Sequence, residues 1–442
     1  MTKRVLLLSH TTGYQLRAFN DAAERLGIEL VFATDRCHRL DDPWQDRAVA
    51  VRFHELDASV GAIAARARAT AVHGIVAVGD RPVPLAARAA QALGIEWHSV
   101  AGADASTDKR QSRAALALAG VATPRFSAIR LSGAPSAPGA SSSILRPPPS
   151  ALRPPSALRP PYVLKPVGLS GSRGVIRADD AAEFAAAVDR IRALLARPQI
   201  RAARSGDDDE ILVEEYIDGA EFALEGVLTR GVLQVLALFD KPDPLTGPFF
   251  EETIYATPSA LPLAAQARIS ESVQRAAAVL GLRHGPVHAE CRMTADGDVC
   301  VLEVAARPIG GLCSRVLTFA GRGVGADASL EAVLLRHAVG EDVRGAARET
   351  QGAAVMMIPI PQRGMLRAVS GEDAARAVPG VTEIRITAKI GQLLEPLPEA
   401  GSYLGFIFAR GATAGAAERA VREAHRRLVF AVTPELVVTA TS

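Results

Sequence analysis

The sequence predicts a multidomain protein of mixed α/β and α+β character, and three observations predict it. At 442 residues the chain exceeds what a single hydrophobic core organises, so two to four domains are expected. Its first hundred residues alternate short apolar runs with amphipathic helical stretches, the pattern of a parallel sheet flanked by helices. From Tyr162 onward strands follow strands, with turn signals and a glycine-rich loop between them, and long helical patterns become the minority.

In the first segment, RVLLLS (4–9), IELVFA (28–33) and GIVAV (74–78) are the strand candidates, separated by LRAFNDAAERLG and PVPLAARAAQALG. We take 1–100 as an N-terminal parallel α/β domain. Its first turn, HTTGYQ, lacks the G-x-G-x-x-G spacing of a dinucleotide site, which points to a structural or substrate-side role. Residues 101–215 form a linker helix and a lid subdomain, interrupted at 131–161 by a Pro/Ser/Ala-rich stretch with LRPP three times. That stretch has too little apolar surface to offset ordering and is expected to be a disordered insertion. After it come the strand YVLKP, the loop GLSGSRG, the strand VIRA and a helix opened by Asp179 and Asp180. Residues 216–345 read as a subdomain of strand pairs, and 346–442 read as a separate C-terminal α+β domain.

Composition narrows the function. Apolar residues make up 48% and charged residues 22%, an ordinary globular balance. The net charge is +2 with both signs interspersed, so nothing calls for a nucleic acid or an anionic membrane, and small molecules are the expected partners. MTKRVLLLSHTTG has too short an apolar run for a signal peptide or a membrane span and reads as the first strand of a cytoplasmic protein. Cys37, Cys291, Cys300 and Cys313 form no C-x-x-C pair, and buried free thiols are expected.

One hairpin carries the sharpest inference. HAECRMT and VCVLEVA flank Ala295-Asp296-Gly297-Asp298, and Asp-Gly is a strong signal for a two-residue turn. With Asp296 and Gly297 central, Glu290 lies opposite Glu303. Like charges so placed destabilise a sheet unless both are solvated or a cation lies between them, and carboxylate oxygens are ligands that Mg²⁺ prefers. Alternation sets Ala305 and Arg307 on the face of Glu303, with His288, Arg292 and Val301 sharing it by parity. Arg307 offers a charged fork to an anion, and Gly310 and Gly311 in PIGGLCSR can bring backbone N–H groups to a substrate. His288 reads equally as a substrate contact or a structural histidine.

In PYVLKPVGLSGSRGV, Lys165 precedes Gly168, Ser170, Gly171, Ser172 and Gly174, which together suit a phosphate cradle distinct from a Walker loop. In VEEYIDGAEFALEG a strand ends at Glu214 and Glu215 and returns with Glu221, so one carboxylate can accept from an adenine amino group and another from ribose hydroxyls.

In this order the three motifs resemble the ATP-grasp superfamily of carboxylate-amine ligases, over roughly residues 1–345. The resemblance implies an ATP-grasp fold with an N-terminal Rossmann-like domain, a mobile lid subdomain and a C-terminal α+β domain. It implies ATP and Mg²⁺, with Mn²⁺ as a substitute metal. Lys109 and Lys165 would contact the phosphates, and the 168–174 loop would close over them. Glu214 and the backbone from Glu215 to Ile217 would hold the adenine and Glu221 the ribose. Glu290 and Glu303 would bind the metal, and Arg307 would steady an acyl phosphate. The family commonly shows E-x-N-x-R on this strand, and Ala305 stands at the asparagine position, so the resemblance supplies one metal ligand fewer. ALFDKPDPLTGPFFEETIYATPSALP and LEVAARPIGGLCSR look most like the L-amino-acid ligases that make dipeptides, which would set Lys241, Glu251 and Glu252 near the substrate. A small-molecule carboxylate and an amine are then the partners, and both monomer and homodimer stay open. Biotin-carboxylase-like or purine-pathway ligases, and a non-catalytic ATP-binding subunit, are the alternatives.

Overall fold

A computed structural model of the chain describes residues 2–10, 15–35, 48–131, 153–203 and 210–434. The N-terminal strands form a parallel sheet in the order Val49–Ala50, Glu29–Thr34, Arg4–Ser9, Gly74–Val78. Alternate side chains of the strand Arg4–Ser9 enter different cores: Leu6 and Leu8 pack with helix Val83–Leu93, whereas Val5 and Leu7 pack with Phe19 and Ala22 of helix Leu16–Leu26. Both faces are therefore covered, which is why these strands are apolar throughout. Helix Leu330–Ala338, far along the chain, contributes Leu334 and Leu335 to the second of these cores.

The segment read as the lid is an antiparallel sheet in the order Phe126–Arg130, Glu210–Glu215, Tyr162–Pro166, Ile176–Ala178. Helix Ala181–Leu195 covers one face with Phe184, Val188 and Ile191, and the Asp180 carboxylate caps it by accepting from the Ala182 and Glu183 amides. Within the stretch read as a disordered insertion, 132–152 lie outside the described residues. Residues 153–161 differ from that expectation. Leu158 is buried in the lid core, the Ala157 carbonyl accepts from Arg125, and the Pro161 carbonyl accepts from the Tyr216 amide. The third LRPP repeat owes its order to one buried leucine and to a backbone carbonyl that satisfies the hinge.

The largest sheet has eight strands, in the order Val299–Ala305, Gly285–Met293, Ala220–Thr229, Val232–Lys241, Ile254–Thr257, Gly352–Ile358, Gly405–Gly411, Val381–Ile386. The last three belong to the segment read as a separate C-terminal domain. Ile254–Thr257 pairs with Gly352–Ile358 residue by residue, so backbone hydrogen bonds run from the hairpin of Glu290 and Glu303 into the C-terminal segment. Side-chain pattern cannot reveal this, because a shared sheet edge is a matter of which strand lies alongside which.

Candidate active site

The hairpin of the two glutamates places Glu290 opposite Glu303, the predicted pairing, but by a different route. Thr294 and Asp298 close a three-residue loop in which Gly297 takes a φ of +84°, where glycine is favoured. Pairs near the turn are therefore one out of the expected register, Met293 facing Val299 and Cys291 facing Val301. An irregularity between Glu290 and Cys291 then gives the second strand an extra residue and restores the register at Glu303. Val301, expected on the face of Glu303, consequently turns with Cys291 into the apolar core, while Leu302 lines the cavity.

That cavity holds about 280 Å³ and is walled by the lid, the hinge after Glu210–Glu215, the hairpin and residues 401–406. Beneath its floor lies a cluster of charges. The Lys241 ammonium donates to Glu221 at 2.7 Å, Glu252 at 2.6 Å and Glu290 at 3.0 Å, and the three acids offer oxygens within 4.8 Å of one another. Burial disfavours the Lys241 charge, yet the three carboxylates outweigh it and hold the ammonium well above its usual range. Burial also pushes Glu290 up, but Lys241 and His288 prevail and its carboxyl sits well below the usual range. Burial and repulsion from Glu290 push Glu252 up to about 7. Lys241, with Arg292 on the far oxygen of Glu221, brings two cations to three carboxylates, and Glu252 is the one left holding its proton more firmly.

Glu303 has no hydrogen-bond or ion-pair partner among the described residues and lines the same cavity. An unengaged carboxylate beside Glu290, surplus negative charge and hard oxygen donors fit a Mg²⁺ ion. Ala305 is buried opposite His288 and offers no donor. His288 is buried too: its Nδ1 lies 3.2 Å from Glu225, and its Nε2 lies 3.8 Å from Glu290. Burial opposes its charge, but these carboxylates raise its pKa above the ordinary value. Glu225, whose second oxygen is buried without a partner, is itself pushed up by burial.

The lid side supplies cations. The Lys165 ammonium lies 2.6 Å from one oxygen of Glu214, and the Arg113 guanidinium lies 2.6 Å from the other. Glu214, expected at the adenine, thus anchors the lysine at the edge of the cavity. Glu221, expected at the ribose, is likewise bridged, by Lys241 on one oxygen and by Arg292 on the other at 2.9 Å. In the hinge, the Glu215 and Tyr216 amides donate to Arg125 and Pro161 carbonyls and the Ile217 carbonyl accepts from Arg292. The Ile217 amide is left without a partner among the described residues. The Glu215 carboxylate accepts from the Arg159 amide at 2.9 Å. Tyr216 stacks near Phe250, and Leu302 and Leu245 extend this apolar wall, which suits a planar base.

In the glycine-rich loop, Gly171 and Ser172 both take left-handed φ values, +65° and +56°, the backbone form of a tight turn, and both line the cavity. Lys109, at the start of helix Lys109–Leu118, donates to the Leu169 carbonyl at 2.6 Å and so ties the helix to this loop. Ser170 hydrogen-bonds Asp80, whose carboxylate also accepts from Arg307 Nε at 2.7 Å. Burial pushes the Asp80 carboxyl up, but Arg307, with Lys109 and Ser170, outweighs it and holds the carboxyl below its usual range. Arg307, Gly310 and Gly311 line the cavity as expected; Glu251 does not, its carboxyl meeting the Ile360 amide instead.

Asp80, Arg113, Tyr255 and Tyr403 escaped the sequence reading. Asp80 follows a parallel strand at its carboxyl end, where ligands gather in such sheets, and Arg113 lies one helical turn beyond Lys109. Tyr403 carries no sequence signal. Of the cysteines, Cys291, Cys300 and Cys313 are buried free thiols, while Cys37 lies outside the described residues.

Family models match three segments: an ATP-grasp N-terminal domain over 20–95, an ATP-grasp domain over 158–316, and an L-amino acid ligase C-terminal domain 2 over 356–433. The chain belongs to the ATP-grasp superfamily. It joins the two ATP-grasp domains to a segment that matches an L-amino acid ligase C-terminal domain. Among solved structures, the L-amino acid ligase from Bacillus licheniformis is 23% identical with a TM-score of 0.74, covering 98% of this chain and 99% of that one. A carboxyaminoimidazole ribonucleotide synthase from Aspergillus clavatus, complexed with ATP, is 16% identical with a TM-score of 0.66, covering 96% and 99%. At these identities the likeness is one of fold. The uncharacterized protein y4rH of Sinorhizobium fredii is 26% identical over 279 residues, 60% of this chain and 52% of that protein, so the chain spans about half of that relative. No described helix is long and apolar enough to cross a membrane.

Proposed function

We propose that this ATP-grasp protein activates the carboxylate of one amino-acid-like substrate as an acyl phosphate and passes the acyl group to the amine of another. The observation that carries the reading is the Glu290–Glu303 pair, facing one cavity with Lys165, the glycine-rich loop and Arg307. A substrate carboxylate oxygen attacks the γ-phosphorus of ATP; the new O–P bond forms as the bond to the β-phosphate oxygen breaks, releasing ADP. The amine nitrogen then attacks the acyl carbon, the C–O bond to phosphate breaks, and the amine gives up a proton as the amide forms.

Each step asks the chain for placement and charge rather than for a protein nucleophile. Lys109 and Lys165 bring ammonium groups to the phosphates, and the Gly171–Ser172 turn brings backbone N–H groups. Arg307, held by Asp80, presents its remaining N–H groups to the anion that develops at the acyl centre. A Mg²⁺ ion held by Glu290 and Glu303, or Mn²⁺ in its place, would supply positive charge to the phosphate oxygens. The lid excludes water that would otherwise hydrolyse an acyl phosphate.

The test is ADP and phosphate release over pairs of amino acids with Mg²⁺. Release that needs two amino acids together, with the dipeptide seen by mass spectrometry, is the expected result. Release driven by bicarbonate or formate alone, or ATP binding with no turnover on any pair, would overturn it.

A further inference from the structure

We infer that the cavity ends in an apolar side-chain pocket, built largely by the C-terminal segment, which makes one substrate an amino acid with a medium-sized or large apolar side chain. The inference rests on the ligase reading above and narrows it. Tyr255, Cys313, Met357, Tyr403 and Phe406 all line the cavity that holds Glu290 and Glu303. They come from separate parts of the chain: the strand Ile254–Thr257, the single turn Cys313–Val316, the strand Gly352–Ile358, the loop before Gly405, and the strand Gly405–Gly411.

These side chains form one continuous surface. Cys313 Sγ lies 3.9 Å from Met357 Sδ, and the rings of Tyr403 and Phe406 meet edge-on at 6.1 Å. A Cβ added at Gly311 would stand 3.4 Å from the Phe406 ring and 3.7 Å from Cys313 Sγ, so the missing side chain at Gly311 leaves room against this wall. The surface is joined to the reacting centre through Tyr255, whose hydroxyl is 3.4 Å from Glu290. A substrate whose carboxylate lies at the metal end can therefore lay its side chain here.

The chemistry of the wall is apolar, aromatic and polarisable. Burial pushes the Cys313 thiol well up, so it is a neutral sulfur and not a nucleophile. Two sulfurs and three rings make the adaptable lining that accepts Leu, Met or Phe side chains. The neighbouring charges oppose an acidic side chain, which Glu252 and Glu290 would repel. A basic side chain would compete with Lys241 for the same carboxylates and would find no charge along the apolar wall itself. For a small side chain the pocket stays unfilled, and each methylene missing from an apolar pocket costs roughly 10-fold or more in kcat/KM.

Two measurements test this together. Binding of Leu, Met, Phe, Ala, Asp and Lys is measured by calorimetry on the full chain with Mg²⁺ and a non-hydrolysable ATP analogue; ADP release is measured on the same set in pairs. Leu, Met and Phe are expected to bind tightest and to exceed Ala by at least about 10-fold in kcat/KM. Cys313→Leu, which fills the pocket, should lower the Leu-to-Ala ratio of kcat/KM by about 10-fold or more, and Met357→Ala should shift preference towards Phe. Unfolding temperatures confirm that each variant folds, and if either does not, the wild-type panel alone decides. Equal or better use of Asp, Lys or Ala overturns the pocket and leaves the ligase reading standing. Binding of Leu, Met and Phe without ADP release on any pair supports the pocket and overturns the ligase reading. Binding of none overturns both.

Discussion

Replacing Glu214 by Gln tests the charge network that positions Lys165. Glu214 and Arg113 each expose only 2% of their side chains and Lys165 exposes 15%, so all three groups are largely withdrawn from water. The amide keeps the shape of the carboxylate but removes its charge, leaving a buried guanidinium and an ammonium facing a neutral group. Breaking a buried pair in this way costs about 3–5 kcal/mol, because the remaining charge stays desolvated and uncompensated. At roughly 2–4 °C per kcal/mol, the lid should melt on the order of 10 °C earlier in a calorimetric scan. Acid sharpens the test. Burial pushes the Glu214 carboxyl up, but Arg113 and Lys165 outweigh it and hold it below its ordinary value of 4.5. A carboxyl with a lowered folded pKa contributes stability that is fully present above its unfolded pKa and is lost as pH falls through the folded one. Wild type should therefore lose stability below about pH 4.5 more steeply than Glu214→Gln. ATP binding should weaken as well, since Lys165 loses its anchor. A variant that melts within about 2 °C of wild type, keeps its acid slope and binds ATP normally would refute the assignment.

Other consequences can be checked independently. Glu303→Ala should reduce ADP release by more than the roughly 10–100-fold that loss of an outer partner costs a metal site, with folding retained by circular dichroism. Asp80→Asn should lower kcat more than it raises KM for ATP, by roughly 10-fold, because Arg307 loses its orienting charge. In an Arg307→Ala background the same change should have little further effect, and additive losses would show that Asp80 acts elsewhere. Buried His337, stacked 4.3 Å from His284, has its pKa lowered to about 4 chiefly by burial. The unfolded chain then binds the proton more readily, so stability should fall as pH drops from about 6.5 towards 4, and His337→Asn should flatten that slope in a thermal series.

The sequence determined the fold class and the location of the hairpin of the two glutamates, because both rest on local signals. Apolar runs alternating with helices specify parallel strands, and two carboxylates flanking a single Asp-Gly turn are brought close together when the turn closes a hairpin. Even so, the loop holds three residues where two were expected, and the bulge before Glu303 cancelled that difference. The pairing of Glu290 with Glu303 was thus legible while the face of Val301 was not. A bulge is set by how a strand curves against its neighbours, and no residue type announces it.

Only the tertiary structure decided what each charge faces. Lys241, Glu221 and Glu252 lie up to 31 positions apart in the sequence, yet one ammonium binds both acids and Glu290 as well. Glu214 and Glu221, which by spacing alone suit adenine and ribose, are claimed by Arg113, Lys165, Lys241 and Arg292. Asp80 meets Arg307 across 227 positions, and Tyr403 and Phe406 reach the cavity because the C-terminal strands continue the sheet of the Glu290–Glu303 hairpin. Local pattern fixes which way a side chain points from its own strand or helix. The partner it meets depends on which strands lie side by side, and long-range pairing settles that.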